Sequence, residues 1–465
     1  MGDQKNRSTR VAAAACGVGL IALAIASSAQ GETIGGALSK AYLNNPDINT
    51  QRAAVRAADE GVPQANAGYL PTIQGNANAG FSHTEGLPPF FGPPTMNLLP
   101  RGYGLSAQET LFNGQKTFNS VRKAESTVLG AREQLRYTEE NTLLTALTAY
   151  MDVMRDTAAL GLRRSNVEVL KEQLRQTKDR FNVGEVTRTD VAQAESSLAQ
   201  SQADYLVAMA NLQGSISRYR QAIGDQPRQL QPVTPVARLL PATLTQAIAI
   251  SQVENPAITA YLHGVDVALL QVKINEAALY PTVTLQGSVS RMFDTSGFPG
   301  TNELVGSVVG NINIPIWDGG ASFASIRQAK EQVSQQEMTV DSWREKVRQE
   351  VVASWFNNLE APGVVKAAKA QVKAAEIALE GVREEAKVGQ RTTLDVLNAQ
   401  QTLVQARLAL VQAQRDQVVY SYTLLASIGR LSVKHLGLGV VEYDPSVHFN
   451  QVKVKQFGVR TPDGR

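Results

Sequence analysis

A chain of 465 residues is long enough for two or three ordinary domains. With 43% hydrophobic and 19% charged residues it is neither a disordered polypeptide nor a multi-span helical membrane protein. The formal net charge of +3 offers no electrostatic reason to expect nucleic acid or a strongly acidic partner.

In chain order, the N-terminus reads first as a targeting signal. Lys5, Arg7 and Arg10 precede an apolar run over residues 11–25, and Ala26-Ser27-Ser28-Ala29-Gln30 supplies small residues spaced for cleavage after Ala29. Residues 1–29 are therefore expected to be a signal peptide. The competing reading, a retained anchor, suffers because the run falls short of the roughly 20 apolar residues that span a bilayer. Cys16 is the only cysteine and lies inside this run. Ala13-Ala14-Ala15 before it lacks the large apolar residue of a lipidation site, so the exported chain is expected to carry no thiol and no disulfide. No later segment reaches spanning length without charges. A bilayer crossing must then be made by strands.

A first unit, residues 30–225, opens with a short helix. Residues 72–82 then alternate, Ile73, Gly75, Ala77, Ala79 and Phe81 on one face against Thr72, Gln74, Asn76, Asn78 and Ser82. This is the pattern of a transmembrane β-strand. A polar, Gly- and Pro-rich loop over 84–102 leads to a partner strand near 103–112. Residues 115–181, rich in Ala, Gln, Glu, Leu, Lys and Arg, predict one helix of roughly 100 Å. Its small apolar residues suit helices packed side by side. Gly184 marks a turn into a return helix.

After a linker at 226–240, residues 241–430 repeat this order. Asn45-Pro46 recurs as Asn255-Pro256 and Pro71-Thr72 as Pro281-Thr282, both 210 residues on. Beyond the loop the offset becomes 205: Phe112-Asn113-Gly114 matches Trp317-Asp318-Gly319, Val183-Gly184 matches Val388-Gly389, Asp190 matches Asp395, and Ile223-Gly224 matches Ile428-Gly429. The second strand pair falls at 282–293 and 304–316, and the second long helix at 321–387. Pro362-Gly363 is expected to kink that helix. A tail, 431–465, remains, in which Pro445 and residues 461–465 look unsuited to regular structure. Four membrane strands cannot close a barrel, since the smallest use eight, and open edges in lipid are costly. Copies must share one barrel. Two chains are the minimum and three would give twelve strands.

These features in this order, with Trp317-Asp318-Gly319-Gly320 and the run from Val388-Gly389-Gln390-Arg391 through Asp395-Val396-Leu397, resemble the TolC outer-membrane factor family across residues 32–430. The missing lipidated cysteine favours its type I secretion branch over the lipoprotein drug-efflux branch. The resemblance implies an α+β membrane protein: a homotrimer with a twelve-stranded β-barrel in outer-membrane lipid, continuous with an α-helical periplasmic barrel. It also implies docking to a periplasmic adaptor and an inner-membrane ABC or proton-driven transporter, with Gly184 and Gly389 at the docking hairpin tips and an iris-like opening. Proteins and small toxic compounds both fit such a tunnel as cargo.

The family lines its closed end with aspartates one helical turn apart. Asp395 matches the first position, whereas the second is Asn398, which halves the acidic groups and implies weaker cation selectivity. Arg391 matches an arginine that links neighbouring chains, with Thr189 and Asp190 matching partners in the first repeat. Ala386 stands where a gate tyrosine is expected. Spacing alone reads Thr187-x-x-Asp190 and Thr392-x-x-Asp395 as capping boxes, and Gly184 and Gly389 as helix C-caps. A cap and a gate role can coexist at Asp395.

Other chemistry finds no support. His83, His263, His435 and His448 have no metal-ligand spacing, and Gly437-Leu438-Gly439 lacks the rest of a nucleotide loop. No cofactor, nucleic acid or catalytic triad is expected, and the chain does not read as an enzyme. Trp317, Trp343 and Trp355 read as packing or interfacial residues. The main competing architecture is an exported periplasmic coiled coil whose β segments form an adaptor domain.

Overall fold

The computed structural model describes residues 31–85, 95–295 and 300–464. The expected signal peptide, its expected cleavage site and Cys16 lie outside the described residues, as do parts of both strand-connecting loops.

Helices α1 (Ile34–Asn44), α2 (Pro46–Asp59) and α3 (Gly61–Asn66) and a 3-10 turn (Ala67–Tyr69) lead into β1 (Thr72–Ala79). Asn45 explains the Asn-Pro pair. Its extended backbone ends α1, its side chain accepts from Asp47 N–H at 2.8 Å, and Pro46 takes the first helical position, where no N–H is needed. After β1 come β2 (Ser82–Glu85), β3 (Thr95–Leu98) and β4 (Arg101–Phe112), then α4 (Lys116–Asn182) and α5 (Arg188–Ile223). The second half runs α6 (Leu244–Glu254), α7 (Pro256–Glu276), β5 (Thr282–Phe293), β6 (Asn302–Asn313), α8 (Ala321–Lys387) and α9 (Thr393–Ser427), followed by α10 (Val433–Leu436) and α11 (Pro445–Val452). Asn255 repeats the Asn45 cap, accepting from Ala257 N–H at 3.0 Å.

Four strands form one antiparallel sheet in the order β1-β4-β5-β6. In the middle of the sheet the register sorts the faces across all of them. One row reads Ile73, Ala107, Gly287, Val308, and the next Gly75, Leu105, Val289, Gly306. A row on the other face reads Gln74, Ser106, Ser288, Ser307, with the Ser288 and Ser307 hydroxyls 2.9 Å apart. Twelve-residue strands such as β5 and β6 have the length of tilted membrane strands.

Four expectations need correction. Residues 72–82 are not one strand: Gly80 donates to Pro100 O at 2.8 Å, and the chain leaves the main sheet to pair β2 with β3, so part of the expected loop at 84–102 is strand. The last strand stops at Asn313, two residues before Pro315, which has no N–H for a ladder. Pro362 does not interrupt α8, which runs unbroken from Ala321 to Lys387. Pro362 is exposed while Ala361, Val365 and Ala368 stay buried, and that packing offsets the ~3 kcal/mol cost of an interior proline. Finally, Pro445 starts a helix, at the first position after Asp444, whose carboxylate accepts from Ser446 N–H at 2.8 Å.

Burial along the long helices has a strict period. In α8, Ile326, Val333, Val340, Val347, Ser354, Ala361, Ala368 and Ala375 are all buried, each seven residues from the last. Val128, Leu135, Thr142 and Ala149 do the same in α4. Such a seam fits helices wound around each other in the left-handed sense. Midway along α4, Leu143, Leu147 and Tyr150 meet Leu38 and Tyr42 of α1, Tyr219 and Ile223 of α5, Leu424 and Leu425 of α9, and Ile428 just after it in one core joining both halves. Each such Leu or Ile stabilises the fold by about 1.5–3 kcal/mol.

One described helical stretch, Leu244–Leu279, is apolar and long enough to cross a membrane. It carries Glu254, Asp266, Lys273 and Glu276 and breaks at Asn255 into helices of 11 and 21 residues.

Candidate functional site

Two helical hairpins end in near-identical turns. Gly184 (φ +82°) and Gly389 (φ +80°) take the left-handed conformation that a side chain disfavours. Glu185 N–H returns to Arg180 O, and Gln390 N–H to Glu385 O, both at 2.9 Å, closing the long helices with the same six-to-one bond. The return helices start with full capping boxes. Asp190 Oδ2 accepts from Thr187 N–H at 2.9 Å, and Asp395 Oδ2 accepts from Thr392 N–H at 3.0 Å, with each threonine hydroxyl reciprocating toward the aspartate N–H.

These bonds set the charge state. Hydrogen bonds from the Thr392 N–H and hydroxyl, with Arg391 nearby, hold Asp395 below the usual carboxylate range. Thr187 and then Arg180 do the same for Asp190. Both carboxylates stay ionised at neutral pH, and their stabilising bonds are lost only as pH falls through the lowered values. Arg391 pairs with Glu385 of its own hairpin at 2.8 Å. Thr189 and Asn398 are exposed, Asn398 one helical turn beyond Asp395 on α9.

The sequence reading missed what joins the hairpins. Arg383 of α8 donates to Gln400 of α9 at 3.1 Å, Gln400 to Asn166 of α4 at 3.0 Å, and Asn166 to Ser201 of α5 at 2.9 Å. Gln400, Asn166 and Ser201 are buried, so this chain of amides ties all four helices together near the tips. Leu397 packs beside it against Leu170 and Ala194.

At the opposite ends of the long helices, exposed aromatics mark the strand ends next to the helices. Tyr69 and Tyr280 precede β1 and β5, while Phe112 closes β4 and Trp317 follows β6. Trp343 instead stacks on Tyr261 at 4.9 Å, and Trp355 packs against the core.

The sequence profile described as "Outer membrane efflux protein" matches twice, over residues 37–225 and 247–430. The chain belongs to the outer membrane efflux protein family. It is 42% identical over 438 residues to the outer membrane efflux protein BepC of Brucella suis, covering 94% of each chain. It is 26% identical over 442 residues to the outer membrane protein TolC of Escherichia coli, covering 90% of this chain and 86% of TolC. The Campylobacter jejuni CmeC outer membrane channel shares the fold with a TM-score of 0.78 at 16% identity, over 90% of this chain and 89% of CmeC. This efflux family member is therefore a TolC-like protein of the outer membrane, in a family of channels rather than enzymes. The periplasmic coiled-coil reading is not favoured.

Proposed function

We propose that three copies of this chain close a twelve-stranded barrel and extend it by a helical tunnel through which proteins or small toxic compounds leave the cell. The observation that carries this reading is the four-stranded sheet, whose middle rows are apolar on one face and polar on the other, with β1 and β6 as its edges among the described residues. An unpaired strand edge in lipid costs several kcal/mol per backbone group, and four strands are too few to close. Pairing β6 of one copy with β1 of the next removes both edges. The TolC resemblance supports three copies, a periplasmic adaptor and an inner-membrane transporter. BepC's description as an efflux protein supports small toxic compounds as cargo. The test is planar-bilayer conductance of the detergent-extracted protein with its mass measured on the same sample. The expected result is a trimer with small, cation-preferring openings; a water-soluble, non-conducting species would end the reading.

In this proposal the hairpin tips form the periplasmic gate. Asp395 supplies its acidic ring, Asn398 leaves a second ring uncharged, and Arg391, Thr189 and Asp190 contribute closing contacts. Gly184 and Gly389 present the tips to the adaptor, and iris-like movement of the hairpins opens the gate. Asp395→Asn separates charge from cap, because the amide oxygen still accepts from Thr392 N–H. Block of the channel by divalent cations should weaken in this variant while the folded oligomer remains as abundant. Unchanged block would leave Asp395 as a helix cap alone.

A further inference from the structure

Residues 453–460, after α11, read Lys-Val-Lys-Gln-Phe-Gly-Val-Arg. The apolar members are turned out: Val454 is 75% exposed, Phe457 87% and Val459 101%. Between and beside them stand Lys453, Lys455 and Arg460, with no acidic residue in the segment. Adjacent apolar side chains left in water call for an occupant.

The segment is not a frayed end, because it is tied to α2 on both sides. Before it, His448 Nδ1 lies 2.8 Å from Asp59 Oδ2 in a buried pair, and Val452 is fully buried. After it, Asp463 pairs with Arg56 at 3.4 Å. Within it, Lys455 N–H donates to Val452 O at 2.8 Å and the Lys455 ammonium donates to the Arg460 carbonyl. The result is a loop clamped at both ends with its apolar side chains outward.

Its position selects the occupant. Asn66 donates to Lys453 O at 3.4 Å, and residues 453–456 line a cleft of about 580 Å³ together with Tyr69 and Leu70. Leu70 is two residues from the start of β1, and Tyr69 is one of the exposed aromatics at the strand ends. The loop thus stands beside the rim where the sheet meets the helices. At a membrane boundary, basic residues bind phosphates while apolar and aromatic side chains enter the headgroup layer.

We infer that residues 453–460 are an interfacial anchor. Val454, Phe457 and Val459 enter the leaflet on the helical side of the barrel, and Lys453, Lys455 and Arg460 contact phospholipid phosphates. The inference rests on the barrel proposed above, and it adds a contact outside the strands.

The test is a nitroxide placed singly on the full-length protein at Phe457→Cys, Val308→Cys or Val388→Cys, in a Cys16→Ala background. The protein is reconstituted in vesicles of phosphatidylethanolamine and phosphatidylglycerol, and collision with oxygen is compared with collision with a water-soluble nickel chelate. Positions 457 and 308 should favour oxygen, and 388, at a hairpin tip, should favour nickel. An aqueous signal at 457 with a lipid signal at 308 overturns the anchor alone. Aqueous signals at both overturn the barrel. A label at 457 shielded from both reagents means that a protein surface covers the loop, which also overturns the anchor. Adding Lys455→Gln and Arg460→Gln should shift position 457 toward the aqueous signal, and an unchanged signal would remove the phosphate contact.

Discussion

Gly429→Ala is expected to strip folded oligomer from the outer membrane, whereas Gly224→Ala, at the matching position of the first half, is expected to leave most of it. Both glycines follow a return helix in the left-handed conformation, at φ +82° and +88°. A Cβ costs about 1–2 kcal/mol there at either site. Their surroundings differ. A Cβ on Gly429 would stand 2.6 Å from Glu254 O and 2.8 Å from Asn255 Cα, while on Gly224 the nearest atom is Asn44 Cβ at 3.7 Å. The Gly429 contacts are backbone atoms, and they have nowhere to go. Asn255 is the corner between α6 and α7, its amide donates to Ser427 O at 3.1 Å, and Arg430 grips Glu254 through two bonds of 2.7 and 2.6 Å. Overpacking of this kind adds about 1–3 kcal/mol. A combined loss of roughly 2–5 kcal/mol is a large part of ordinary stability and enough to change cellular abundance several-fold. Native gels of outer-membrane fractions at matched expression measure it. Equal oligomer from both variants would mean that the α6–α7 corner is free to move away.

The contrast between these two glycines shows what the sequence could convey. Positive φ at a helix end is local, so Ile-Gly after each return helix announces it. The neighbour 174 residues away that makes one glycine irreplaceable is not local. The same division runs through the molecule. Strand alternation placed β4 to β6 to within a few residues, and the Thr-x-x-Asp spacing foretold both capping boxes, because each signal spans a few residues. The bond between Asn166 and Gln400 joins positions 234 apart, and neither residue type advertises a partner. The seven-residue seam of α8 was legible in principle. It is built largely from Val, Ala and Ser, whose weak apolarity hides the period among many exposed alanines. Prolines misled twice for one reason. Pro362 and Pro445 read as breaks, but a helix accepts proline at its first turn or where packing outweighs one lost bond.

Val308→Arg and Ser307→Arg, adjacent residues of β6, should have opposite outcomes. Strand geometry sends neighbours to opposite faces, and the register carries each into a row of its own kind: Val308 with Ile73, Ala107 and Gly287, Ser307 with Gln74, Ser106 and Ser288. In the proposed barrel the first row meets lipid and the second the lumen. Val308 sits near the middle of β6, where an arginine facing lipid costs about 2–4 kcal/mol, and a trimer would bear that cost in every subunit. Val308→Arg should therefore yield no folded oligomer and no conductance. Ser307→Arg should assemble, and its ring of guanidinium groups should shift the pore toward anions. Oligomer yield and reversal potential in a salt gradient measure the two effects. The opposite result would turn the sheet inside out, with the apolar row lining the pore. Tolerance of both would mean that β6 is not in the bilayer, because no strand in lipid accepts arginine on both faces at mid-depth.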